Sequence, residues 1–140
     1  MTGADSGLVG IVLVSHSAPV AEAVAELARG LAVGGPDAPM APVAAAGGTA
    51  DGGLGTSAER VLAAAREVDR GAGVALLADL GSSVLTVKAL LADDELPAGS
   101  RLVDAPFLEG AVAAMVAASA GAPLSAVESA AAEAYAYRKA

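Results

Sequence analysis

The sequence predicts an α/β fold: one open, mainly parallel four-stranded sheet with helices on both faces. Three observations carry this. Short runs of Val, Ile, Leu and Ala alternate with longer segments in which apolar residues recur at helical spacing. The 140 residues contain no internal repeat and no linker, so they amount to one ordinary domain. The first three apolar runs each stop at a small, polar cluster, as strands do at the carboxyl edge of a parallel sheet.

The elements follow in order. Residues 1–7 are a polar leader, expected to be mobile, without the basic start of a signal peptide. The single domain spans 8–140. Leu8 to Ser15 is almost uniformly apolar and reads as a buried strand. Pro19 suits the first turn of a helix, where its missing N–H has no intrahelical partner. That helix runs to about Val33, with Val20, Val24, Leu27 and Leu31 as its expected inner stripe, and Gly34-Gly35-Pro36 ends it. Met40 to Ala46 is a weaker strand, in which Pro42 suits an edge position. A glycine-rich loop then leads to Thr56, which with Glu59 reads as a capping box. The helix that follows has Val61, Leu62, Ala65 and Val68 on its inner face.

Val74 to Ala78 is the third strand, ending at Asp79-Leu80-Gly81-Ser82-Ser83. The next helix places Val84, Val87 and Leu91 on one side and closes at Asp93-Asp94-Glu95. Arg101 to Ala105 is a short fourth strand, broken by Pro106. The fourth helix starts at Phe107 or Leu108 and is lined by Leu108, Val112, Met115 and Val116. Gly121-Ala122-Pro123 separates it from a last helix reaching about Tyr135.

Composition excludes several functions. The chain is 55% hydrophobic but only 2% aromatic, so the core is built of Ala, Val and Leu. A formal net charge of -8 argues against nucleic acid and against an anionic membrane surface. The absence of Cys removes disulfides, thiolate metal sites and cysteine nucleophiles, and fits a reducing, cytoplasmic setting. With one His and no Cys, no metal site is expected. The uncharged stretch from Gly110 to Val127 is interrupted by Gly121 and Pro123 and reads as helices packed in a domain, not as a membrane span.

The chemistry gathers at three strand ends: Ser15-His16-Ser17, Gly47-Gly48-Thr49 and Asp79-Leu80-Gly81-Ser82-Ser83. In a parallel sheet all three fall on one edge. His16 is either a hydrogen-bonded turn histidine or a nucleophile, since a neutral imidazole nitrogen is competent to attack. Asp79 is either a helix cap or solvated loop carboxylate, or the group that fixes the His16 tautomer and aims the other nitrogen outward. Gly81, Ser82 and Ser83 open a helix, whose free N–H groups bind anions; ordinary capping is the plain alternative. The glycine loop is a plain loop, a lid or a backbone cradle; no G-K-[ST] follows it, so nucleotide binding is poorly supported. A Ser-His-Asp hydrolase would lack the G-x-S-x-G elbow. Together the residues suggest phosphoryl transfer through histidine, which needs positioning and stabilisation of charge on the equatorial oxygens.

Val12-Leu13-Val14-Ser15-His16-Ser17, Gly55-Thr56-Ser57, Ala78-Asp79-Leu80-Gly81-Ser82-Ser83 and Ala105-Pro106-Phe107-Leu108-Glu109-Gly110-Ala111 also form a known pattern. From about Leu8 to Val127 the chain resembles the mannose-class enzyme IIA domains of the sugar phosphotransferase system, and among them the DhaM phosphotransfer subunits of phosphoenolpyruvate-dependent dihydroxyacetone kinases. The resemblance implies that His16 is phosphorylated by the phosphocarrier HPr, with a covalent phosphohistidine intermediate and no bound cofactor. It implies transfer onward to ADP held by DhaL, whose ATP phosphorylates dihydroxyacetone on DhaK. Asp79 is then the neighbouring carboxylate, and Ser15, Ser17, Gly47, Gly48, Thr49, Gly81, Ser82 and Ser83 surround the phosphoryl group. A homodimer is implied. Some members carry HPr-like and enzyme I-like domains downstream; here the expectation is that these are separate proteins.

Two alternatives share the fold: a mannose-type enzyme IIA feeding a sugar permease, and a non-catalytic regulatory module. Ser17 beside His16 and the D-L-G-S-S stretch favour the dihydroxyacetone relay, and the chain lacks the Trp common near that second motif in the mannose type. A two-component receiver domain is disfavoured because Ser15-His16-Ser17 stands where its acidic pair belongs.

Overall fold

The computed structural model describes residues 7–140, so the expected leader falls almost wholly outside the described residues. The elements are β1 (Gly10–Ser15), α1 (Ala18–Leu31), β2 (Val43–Gly47), α2 (Ala58–Val68), β3 (Val74–Ala78), α3 (Gly81–Ala92), β4 (Ser100–Leu102), α4 (Phe107–Ser119) and α5 (Leu124–Glu133), followed by a single 3-10 turn over Ala134–Ala136. The sheet has the order β2-β1-β3-β4, and every pairing is parallel. The expected fold class is therefore observed, with the Pro42-flanked strand on an edge.

The alternation of side chains along the strands divides the core. Ile11, Leu13, Ala75 and Leu77 face α1, α4 and α5, where they meet Ala25, Ala28, Ala111, Ala114 and Met115. Val12, Val14, Val74 and Leu76 face α2 and α3, against Val61, Ala65, Val68, Val87 and Leu90. Helices thus cover both faces, which explains why β1 and β3 are near-continuous apolar runs.

Two helices turn inward a face rotated from the expected one, of which Val24 in α1 and Val112 and Met115 in α4 still pack on the core. In α1 the buried residues are Ala21, Ala25 and Ala28, while Val20, Leu27 and Leu31 are exposed. In α4 Ala111, Ala114, Met115 and Ala118 are buried, and Leu108 and Val116 are exposed. The physical reason is distance. A face of Ala and Gly lets a helix backbone approach the sheet closely: a Cβ on Gly110 of α4 would stand 2.7 Å from Ala105 Cβ and 3.2 Å from Leu77 Cδ2. Each of these helices is apolar on two faces, so periodicity alone could not choose between them. The larger stripes of α1 and α4 instead line a groove of about 600 Å³ with Leu27, Leu31, Leu108, Val112, Val116 and Tyr137.

Smaller departures have local causes. Thr56 does not cap α2; the Ser57 hydroxyl does, accepting from the Arg60 N–H at 3.3 Å. The core side of α3 is Ser83, Val87 and Leu90, with Val84 and Leu91 only half-buried. β4 spans only Ser100–Leu102, paired with Val74–Leu76 of β3, and short of the expected Ala105 the Val103 N–H adds one last bond to the Leu76 carbonyl. No helix among the described residues is long and apolar enough to cross a membrane.

Candidate active site

Register brings the strand ends level. Ser15 of β1 pairs with Gly47 of β2, and Val14 pairs with Ala78 of β3. Beyond those pairs the chains stay joined, since the Gly48 N–H donates to the Ser15 carbonyl and the Asp79 N–H to the Val14 carbonyl. The chain leaves β1 towards β2 and leaves β3 towards β4, in opposite directions across the sheet, with α1 on one face and α2 and α3 on the other. The gap between the ends of β1 and β3 is thus a topological switch point, where ligands of open α/β sheets bind. His16 and Asp79 occupy it.

Asp79 is the hub. Its Oδ2 accepts from the Ser15 hydroxyl at 2.8 Å and the His16 backbone N–H at 3.1 Å. Its Oδ1 lies 3.0 Å from His16 Nδ1 and accepts from the Leu80 N–H at 2.7 Å. Asp79 is not the cap of α3: Leu80 takes that position, without a side-chain hydrogen bond. Partial burial pushes the Asp79 carboxyl up, but donors from the His16 backbone, its ring, Ser15 and Leu80 outweigh this and lower it to about 2.

Because Asp79 is ionised near neutrality it only accepts, so Nδ1 of His16 carries the ring proton. Nε2 then holds the free lone pair. It faces the Ser82 hydroxyl, in the first turn of α3. The ring is about a quarter exposed, accessible to an incoming group. The N–H groups of Gly81 and Ser82 lie at the start of α3, where they lack intrahelical acceptors and carry the positive end of the helix dipole. A lone pair, an adjacent carboxylate and anion-binding donors suit nucleophilic attack on an electrophilic anion. Among the described residues no cluster suited to a metal is present.

The remaining sequence candidates have separate places. Ser15 is buried and holds both Asp79 and the Ser17 N–H, the latter at 3.1 Å. The Ser17 hydroxyl caps α1, accepting from the Val20 N–H at 3.4 Å. Gly47 lies so close to the start of α1 that a Cβ would stand 2.5 Å from the Ser17 carbonyl oxygen and 2.7 Å from Ala18 Cα. Gly48 has φ +70, a left-handed conformation that favours glycine. The Thr49 hydroxyl turns into its own loop, accepting from the Gly53 N–H at 3.0 Å and bonding Asp51. That loop is pinned to the site from its far end, where the Gly55 N–H donates to the His16 carbonyl at 2.9 Å. Ser83 is fully buried, with its hydroxyl 3.2 Å from Nδ1. Sequence reasoning missed Thr56, whose hydroxyl meets Ser83 Oγ at 2.7 Å. The Thr56-Ser57 doublet was the available signal: only one hydroxyl can cap the helix.

Stability should report the Asp79 network in acid. A carboxyl lowered to about 2 when folded stabilises the fold above its unfolded value, near 3.8, and loses that contribution as pH falls towards 2. The contribution is about 2 kcal/mol. Chemical denaturation between pH 5 and 2 is expected to show this loss, and Asp79→Asn should remove that part of the slope.

The chain is similar to known proteins. A family model described as EIIA-man, PTS system fructose IIA component, matches residues 10–128. The chain is 34% identical over 119 residues to the PEP-dependent dihydroxyacetone kinase, phosphoryl donor subunit DhaM of Escherichia coli K12, covering 84% of this chain and 25% of that one. It is 32% identical over 111 residues to PEP-dependent dihydroxyacetone kinase 2, phosphoryl donor subunit DhaM of Listeria innocua, covering 78% and 85%. The chain thus spans about a quarter of the Escherichia coli relative and most of the Listeria one. The crystal structure of unknown function protein EF1359 superposes with a TM-score of 0.70 at 30% identity, over 90% of this chain and 94% of that one.

Proposed function

Because the chain belongs to the EIIA-man family of phosphotransferase-system components, we propose that it carries a phosphoryl group on His16 from phospho-HPr to ADP bound on DhaL, serving a dihydroxyacetone kinase with DhaK. The observation that carries this reading is the pairing of His16 Nδ1 with Asp79 Oδ1 at 3.0 Å, which leaves Nε2 as the free nucleophile beside the start of α3. In the forward step the Nε2 lone pair bonds to phosphorus as the donor's P–N bond breaks. The Nδ1 proton stays in place, and the Asp79 carboxylate balances the positive ring that forms. The N–H groups of Gly81 and Ser82 and the Ser82 hydroxyl face the phosphoryl oxygens. In the second step an ADP oxygen takes the phosphoryl group, and the neutral ring is restored. No resident cofactor is needed; the intermediate is a covalent phosphohistidine.

The naming of the relatives as phosphoryl donor subunits supports the dihydroxyacetone branch. The family description as a fructose component supports a sugar-permease branch instead. Discharge separates them. Protein labelled by enzyme I, HPr and phosphoenolpyruvate should lose its label to ADP-loaded DhaL, with ATP formed. Faster discharge to a sugar enzyme IIB would overturn the first branch, and no labelling at all would favour a regulatory module.

A homodimer belongs to the same reading. The groove of α1 and α4 exposes Leu27, Leu31, Leu108 and Val116, an apolar face larger than scattered surface residues explain. A second copy is the proposed cover. Sedimentation should give a dimer, and the Leu31→Glu/Val116→Glu double variant a monomer; a monomeric unaltered protein overturns this.

A further inference from the structure

The Thr56 hydroxyl has no role in the relay as described. It is half-buried, at the entry to α2, and lies 2.7 Å from Ser83 Oγ. Ser83 Oγ is in turn 3.2 Å from His16 Nδ1, the nitrogen that already points at Asp79. Ser83 is fully buried, so water does not satisfy it.

The direction of these bonds follows from proton counting. Nδ1 carries a hydrogen and offers no lone pair, so the Ser83 oxygen accepts a share of that hydrogen alongside Asp79. The Ser83 hydrogen must then go to another acceptor, and Thr56 Oγ1 is in place to take it. We propose that Thr56 is a positioning residue for the phosphoryl relay, holding the Ser83 hydroxyl turned away from His16 so that the ring keeps its proton on Nδ1 and its lone pair on Nε2. Without Thr56 Oγ1, the Ser83 hydroxyl swings its hydrogen towards Nδ1. That orientation fits only a ring protonated on Nε2, which cannot attack phosphorus. Asp79 fixes the tautomer from one side and Thr56, acting through Ser83, from the other.

The assignment rests on His16 Nε2 being the acceptor, and the test separates the two ideas. Thr56→Val keeps the branched shape and removes the hydroxyl; Thr56→Ser restores it. In the unphosphorylated protein, ¹⁵N shifts of the His16 ring should show a single Nδ1–H tautomer for the unaltered chain and Thr56→Ser. They should show a mixture for Thr56→Val. This readout needs no phosphoryl donor, so it stands even if the HPr relay fails. In the relay, Thr56→Val should slow labelling by roughly tenfold, the loss expected when one buried hydrogen bond is unmade. Ser83→Ala, which removes the misdirected donor, should suppress the further effect of Thr56→Val in the double variant. An unchanged tautomer in Thr56→Val, or additive effects of the two substitutions, would overturn the assignment. A tautomer shift with normal labelling would leave the ring geometry correct and the acceptor nitrogen wrong.

Discussion

Replacing His16 with Ala is expected to abolish HPr-dependent labelling, a fall of more than about 10³-fold, because no other side chain at the switch point offers a comparable lone pair. Ser15 donates to the Asp79 carboxylate but is buried, and Ser17, Ser82 and Ser83 are hydroxyls that lose the neighbouring imidazole. The fold should survive. Asp79 still accepts from Ser15, from the backbone N–H of residue 16 and from Leu80, so no buried donor is stranded. The label should be acid-labile and alkali-stable, and peptide mapping should place it on His16 in the unaltered protein. Undiminished labelling of His16→Ala would assign the site elsewhere and sink the proposed relay.

Replacing Asp79 should damage both rate and stability, and two substitutions divide the effects. Asp79→Ala leaves the Ser15 hydroxyl and two backbone N–H groups without their acceptor, at a cost of about 1–3 kcal/mol. Asp79→Asn keeps the shape and removes the charge. It should fold well above pH 5 yet transfer phosphate on the order of 100-fold more slowly, since nothing then balances the cationic ring or holds its tautomer. Rapid-quench measurement of phosphoryl transfer from phospho-HPr decides the point. A rate for Asp79→Asn within twofold of the unaltered protein would remove Asp79 from the reaction.

Much of this was legible in the sequence. The apolar runs ending at Ser15, Ala46 and Ala78 gave the strand ends to within a residue, and parallel pairing forced those ends onto one edge. That placed His16 and Asp79 together across 63 residues of sequence. The bond network was less legible. Asp79 has the composition of a helix cap, and only the register of β1 and β3 shows that its oxygens turn back to Ser15 and His16. Thr56 fits a capping box, yet the neighbouring Ser57 takes the cap and frees it for Ser83. The faces of α1 and α4 were misassigned in part, beyond Val24, Val112 and Met115, because alanine counts weakly in hydropathy but strongly in how closely two backbones approach.

The parallel strands also dictate where attachments are harmless. A dye or carrier joined ahead of Gly7 enters at the amino end of β1, about 20 Å of extended backbone from the imidazole. One joined near Tyr137 leaves beside Tyr135, which bonds Asp104 at 2.9 Å just past the carboxyl end of β4, on the same rim of the sheet as His16. Immobilisation through the first position should preserve turnover where the second obstructs it.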